Sequence, residues 1–73
     1  MQDRAKVKFL RNREYGLDRA VETLAYEVDR FADDESHAKE FVDFTNRLEA
    51  CLREIKSIRA AIGDKADELG GVS

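Results

Sequence analysis

The stretch LDRAVETLAYEVDRF, which runs from Leu17 to Phe31, sets a helical period in this chain. Its apolar residues are spaced alternately by four and three positions, at Leu17, Val21, Leu24, Val28 and Phe31. An α-helix turns once about every 3.6 residues, so this spacing places the apolar side chains in one stripe along the helix. The stretch therefore predicts a helix whose stripe packs against a second helix, as in a coiled coil.

A second apolar stripe with the same period follows nearer the C-terminus. Leu52 widens it, and its main members are Phe41, Phe44, Leu48, Cys51, Ile55, Ile58 and Ile62. The segment ADDESHAKE (32–40) separates the two stripes and is too short to join anything except antiparallel neighbours. The sequence thus predicts an all-α fold, an antiparallel helical hairpin of two long helices in a single domain over residues 1–73.

The stripes and the helix-breaking residues set the expected boundaries of this hairpin. Helix 1 is expected at about 3–32, the turn at 33–35 and helix 2 at about 36–62. Residues 63–73 are expected to form a flexible or short-helical tail, with Gly63 capping helix 2. In helix 1, Glu14 occupies a stripe position and Gly16 is a poor helix former, so a kink is expected near them.

The lengths of the two helices indicate that the basic N-terminal segment is helical too. Helix 2 would be on the order of 40 Å long at about 1.5 Å per residue, whereas the opening stretch alone gives only about 24 Å. Extending helix 1 back through the segment RAKVKFLRNREYG (4–16) removes this mismatch. Folding about a turn near residues 34–35 then places Leu10 opposite Ile58 and Val7 opposite Ile62.

The size and composition of the chain favour self-association. A domain of 73 residues is marginal on its own and usually needs a disulfide, a metal or a partner copy. One cysteine excludes an intrachain disulfide, and one histidine with one cysteine cannot complete a zinc site of about four ligands. We therefore expect no cofactor or metal, a homodimer that forms a four-helix bundle, and a Cys51 thiol buried in the stripe of helix 2.

The apolar runs and the cysteine content also bear on location. No run approaches the roughly 20 apolar residues that span a bilayer. The N-terminal segment interrupts its apolar residues with lysine and arginine, unlike the apolar core of a signal peptide. A lone thiol is typical of a reducing compartment. A cytoplasmic protein without membrane contact is expected.

The preferred functional prediction is binding of another protein. Acids gather toward the turn, and an acidic surface can recognise a basic one. Phe9, Tyr26 and Val42 fall outside the main stripes, and exposed apolar residues of this kind mark contact surfaces. The predicted partner contacts are Phe9, Tyr26, Asp33, Asp34, Glu35 and Val42.

An alternative prediction is binding of RNA or DNA through the N-terminal helix. Residues 1–13 hold one acid and five bases, whereas residues 14–50 hold eleven acids and four bases. A basic helical face can neutralise phosphates, and an aromatic ring within it can stack on a base. The residues that would make these contacts are Arg4, Lys6, Lys8, Arg11, Arg13 and Tyr15.

No catalytic motif is present in the sequence, which lacks a glycine-rich phosphate loop, HExxH and paired cysteines. We therefore predict a small acidic non-enzymatic protein without a small-molecule substrate. Its expected role is that of a regulator, adaptor or inhibitor, of the size common among bacterial, phage and mobile-element proteins. A third possibility is that the hairpin is a structural piece of a larger complex.

Overall fold

The computed structural model describes residues 3–34 and 39–71, and over these ranges the chain forms two helices, α1 (Arg4–Asp33) and α2 (Val42–Leu69). The helices pack against each other in an elongated molecule of 57 × 15 × 14 Å. Their antiparallel arrangement follows from contacts toward both ends, since Arg11 pairs with Asp67 and Phe31 lies against Phe44. The predicted helical hairpin is confirmed.

Helix α1 includes the basic N-terminal segment. Asp3 caps it, because its carboxylate accepts a hydrogen bond of 3.2 Å from the backbone N–H of Lys6 and so satisfies a donor that has no partner within the helix. The helix continues through Glu14 and Gly16 without interruption, so the expected kink does not form. It ends at Asp33, and Asp34 turns the chain into an extended conformation.

Helix α2 lies further along the chain than the sequence suggested. Residues 39–41 form a turn, the helix begins at Val42 instead of residue 36, and it runs on to Leu69 instead of ending at residue 62. Gly63 is a buried interior residue of α2, so its predicted role as a cap is wrong. The cap is Gly70, whose N–H donates to the Ala66 carbonyl at 2.9 Å. Glu35 and the rest of 35–38 fall outside the described residues.

The later start of α2 changes which residues face each other. A β-carbon on Gly70 would lie 3.9 Å from Val7 Cγ2, so Val7 meets Gly70, eight positions beyond the Ile62 that we expected. Arg11 contacts Asp67, and Asp18 contacts Arg59, in the same register. The predicted pairings of Val7 with Ile62 and of Leu10 with Ile58 are therefore wrong. The two helices are still well matched in length, at 30 and 28 residues.

The apolar stripe of α1 faces α2 as predicted, whereas α2 faces α1 with only part of its predicted stripe. Each stripe member from Val7 to Phe31 is half-buried or buried, and Val28 is only 7% exposed. The side of α2 that packs on α1 carries Phe41, Thr45, Leu48, Leu52, Ile55, Arg59, Ile62, Ala66 and Leu69. Three residues that we expected in the core are exposed instead, namely Phe44, Cys51 and Ile58. The prediction of a buried Cys51 is wrong.

Candidate protein-binding surfaces

The last turns of α1 form a surface that combines an aromatic ring with acids. Tyr26, Asp29, Arg30, Asp33 and Asp34 line a shallow depression there, which we call the turn-end surface. Tyr26 is 57% exposed. Arg30 lies one helical turn further along, donates a hydrogen bond of 3.1 Å to the Tyr26 hydroxyl and places its guanidinium carbon 5.7 Å from the ring centroid. The ring is thus held in place while remaining open to solvent.

Two acids of the turn-end surface lie at the C-terminal end of α1, where they do not stabilise the helix. The C-terminal end of a helix carries a partial negative charge, so carboxylates there are unfavourable by roughly 0.3–1 kcal/mol each. Asp33 is the last residue of α1, Asp34 follows it, and Arg30 is the base in the last turn. The dipole of α1 therefore does not stabilise these two carboxylates.

The predicted partner contacts do not form one continuous surface. Tyr26, Asp33 and Asp34 come together at the turn-end surface. Phe9 is 62% exposed but lies about 25 Å away along α1, where Arg13 places its guanidinium carbon 5.7 Å from the ring centroid. Val42 is 50% exposed and begins α2. Glu35 cannot be placed, since it lies outside the described residues.

The residues proposed for nucleic-acid binding surround α1 and are partly engaged within the hairpin. Arg11 donates a hydrogen bond to Asp67 and another of 3.0 Å to Glu14, and these bonds, that to Asp67 first, raise the pKa of Arg11 above its ordinary value. Lys6 pairs with Asp3 at 3.5 Å, and Arg13 lies over Phe9. Tyr15 is 68% exposed. Within the described part of the chain, only Arg4 and Lys8 of the five predicted bases make none of these contacts.

A cross-helix network of charged residues joins the two helices toward the end of the hairpin where α1 begins and α2 ends, which we call the terminal end. Its members are Arg11, Glu14, Asp18, Arg59 and Asp67. Arg59 Nε donates to Asp18 Oδ1 at 2.7 Å, and this hydrogen bond raises the pKa of Arg59 above its ordinary value. The Glu14 side chain is only 12% exposed and lies directly over Gly63. The network favours the observed register, because another register would separate these charges, although exposed pairs of this kind each contribute little to stability.

Helix α2 has an exposed apolar face that the sequence predicted to be buried. Phe44, Cys51 and Ile58 lie seven residues apart, and we call them the outer stripe. Phe44 is 49% and Ile58 45% exposed, and the Cys51 side chain is exposed as well. A groove beside the outer stripe is lined by Phe31, Phe44, Arg47, Leu48 and Cys51. The seven-residue spacing was the signal, and we had assigned it to the core.

Other kinds of site find no support in the part of the chain that the structure covers. Among residues 3–34 and 39–71, no three His, Cys, Asp or Glu side chains are grouped so that they could hold a metal ion. Neither α1 nor α2 contains a segment long and apolar enough to cross a bilayer. Comparison of the sequence and structure with protein-family models, curated proteins and solved structures found no significant match.

Proposed function

We propose that this chain is a small non-enzymatic protein–protein interaction module that acts in the cytoplasm as a regulator, adaptor or inhibitor of a protein with a basic surface. The observation that carries the proposal is the turn-end surface, with its exposed Tyr26, the Arg30 held against it and the acids around both. Tyrosine and arginine dominate the binding energy of many protein interfaces, and surrounding acids steer a basic partner into place.

Self-association into a four-helix bundle belongs to the same proposal. The described part of the hairpin has little core: Val28 and Ala66 are its buried apolar side chains, and no large side chain is fully buried. The chain exposes 5861 Å², whereas a compact monomer of 8.4 kDa exposes about 4,600 Å². The difference of about 1,200 Å² exceeds the roughly 800 Å² that each partner contributes to a standard interface. A second copy can therefore supply the missing burial.

An affinity purification tests the protein-binding proposal. Tagged protein is purified from its native host, half of the extract is treated with nuclease, and bound proteins and nucleic acids are identified by mass spectrometry and sequencing. We expect a protein partner that survives nuclease. The variant Tyr26→Ala/Asp33→Lys/Asp34→Lys should lose it, whereas Arg4→Glu/Lys8→Glu, a matched control at the other end of α1, should retain it.

The opposite result would favour the second candidate function, binding of RNA or DNA. The observation behind this alternative is that Arg4, Lys8 and Tyr15 are exposed and lie on one side of α1. Recovery of nucleic acid, with loss of every protein after nuclease treatment and loss of binding in Arg4→Glu/Lys8→Glu, would reverse our ranking. Such binding should also weaken steeply as the salt concentration rises.

A further inference from the structure

We propose that the outer stripe of α2 is covered by the α2 helix of a second copy of this chain, packed antiparallel, with the two Cys51 residues facing each other across the twofold axis. This inference rests on the self-association proposed above and adds its surface and its orientation. It concerns a face of the hairpin that differs from the turn-end surface.

The first argument concerns which of the two possible apolar stripes of α2 packs against α1. Helix α2 turns Thr45, Arg59 and Ala66 toward α1, where they alternate with larger apolar residues, and leaves Cys51, Ile58 and about half of Phe44 exposed. A chain that needed only a stable hairpin would bury Phe44 and Ile58 more fully, because each contributes roughly 1.5–3 kcal/mol when buried. The exposed stripe is therefore an interface that the monomer leaves uncovered.

The second argument is the symmetry of the outer stripe. Phe44 and Ile58 each lie seven residues from Cys51 on opposite sides. An antiparallel pairing centred on Cys51 places Phe44 against the partner's Ile58 and repeats this contact at the other end, as a twofold interface requires. The same register brings Arg47 to within one position of the partner's Glu54.

The third argument is the distribution of charge along α1. Residues 4–13 carry five bases and no acid, whereas residues 21–34 carry five acids and one base. In a molecule 57 Å long these two segments lie near opposite ends. An antiparallel dimer brings the basic end of each copy toward the acidic end of the other, whereas a parallel dimer brings like charges together. Charge complementarity thus favours the orientation that the outer stripe also favours.

Cross-linking through the native Cys51 tests this arrangement in the intact protein. A short bismaleimide is added to the full chain at about 10 µM, and the rate at which covalent dimer forms is measured. The control is Cys51→Ser/Ala50→Cys, which moves the thiol one residue around α2 to an exposed position away from the outer stripe. Two thiols held together in a dimer reach an effective concentration of about 1 mM, so the native chain should cross-link on the order of a hundredfold faster.

Sedimentation equilibrium of the unmodified chain separates the possible outcomes. A dimer whose native Cys51 cross-links much faster than the control supports the inference. A dimer in which the two rates are equal overturns the antiparallel arrangement but leaves self-association standing. A monomer at every concentration tested overturns both, and the outer stripe would then belong to a different partner.

A charge exchange tests the orientation without changing any apolar residue. Arg47→Glu alone places a glutamate near the partner's Glu54 in the antiparallel register, and we expect the dimer dissociation constant to rise about tenfold. Adding Glu54→Arg should restore it. A double variant no better than the single one would argue against the antiparallel pairing, because residues 47 and 54 meet only in that orientation.

Discussion

The two ends of the hairpin hold their helices together in different ways. At the terminal end, buried Gly63 and Ala66 let α2 approach α1 closely, and the cross-helix network joins the helices at their margin. At the turn end, three phenylalanines pack with tilted rings, with centroid distances of 6.3 Å for Phe31 with Phe44 and 6.0 Å for Phe41 with Phe44. One end relies on small residues and charge, and the other on aromatic area.

The comparison teaches that register and binding surface come from different parts of the molecule. Charged pairs across the helices form in one register only, so the terminal end favours that register, although each exposed pair contributes little to stability. Aromatic rings tolerate several offsets and retain exposed area, as the 49% exposure of Phe44 shows. The end with the less specific packing is the end that carries both Tyr26 and the first residue of the outer stripe.

The largest effect on stability is expected from a charge placed in the small core, in the half of the hairpin that lies nearer the turn. Val28→Asp removes a side chain that is 7% exposed and buries a carboxylate without a partner, so the free energy of unfolding should fall by about 3 kcal/mol. Denaturant unfolding followed by circular dichroism at fixed protein concentration measures it. The exposed control Thr23→Asp should change it by less than about 0.5 kcal/mol. Equal effects would mean that Val28 is not a core residue.

A smaller and opposite pair of effects is expected from the two glycines inside the helices. Nothing lies within 4 Å of a β-carbon built on Gly16, so Gly16→Ala should stabilise the protein by about 1 kcal/mol through helix propensity alone. A methyl on Gly63 collides with the Glu14 carboxylate, so Gly63→Ala should gain less or destabilise. Thermal unfolding of both variants measures the difference.

A second measurement makes Gly63→Ala in a chain that also carries Glu14→Ala. With the carboxylate removed, Gly63→Ala should recover a gain of about 1 kcal/mol, as at Gly16. If Gly63→Ala were as favourable as Gly16→Ala in the native background, the Glu14 carboxylate would not be held over Gly63.

The sequence was sufficient for the fold class and for α1, and it was not sufficient for the alignment of α2. The stripe from Leu17 to Phe31 has one apolar face only, so its spacing predicts which side is buried. In α2, the residues shared by both possible stripes are Phe41, Leu48, Ile55 and Ile62, and apolar residues flank them on either side. Spacing alone then predicts that the more apolar side of α2 packs against α1, and this prediction is wrong.

The information that selects the buried side of α2 lies in pairs of residues far apart in the chain. Arg59 interrupts the apolar pattern when α2 is taken alone, and it fits only when Asp18 is known to face it. In the sequence, Gly63 fits the pattern of a residue that caps a helix. Only the Glu14 side chain, which lies over it, shows why a glycine is present inside α2. The turn-end surface was predicted in part, since Tyr26, Asp33 and Asp34 were named, while the contact of Arg30 with the ring was not.

The smallest effect is expected from exchanging single charges, and it shows whether the terminal end sets the register. Asp18→Arg and Arg59→Asp should each lower the melting temperature, and the double exchange should recover most of the loss because the 2.7 Å pair can form in reverse. The control exchange of Lys65 with Glu68, a pair 3.3 Å apart within α2, should change little at any step.

Salt, rather than pH, is the condition that should modulate this charge exchange. Asp18 raises the pKa of Arg59, so the contribution of Arg59 is complete below the ordinary arginine pKa and is lost only as the pH rises through the raised value. The arginine therefore stays charged throughout the pH range in which proteins are handled. Added salt screens exposed charges and should shrink the effect of both single variants. Single variants whose melting temperatures match the native chain at low salt would show that the Asp18–Arg59 pair does not stabilise the observed register.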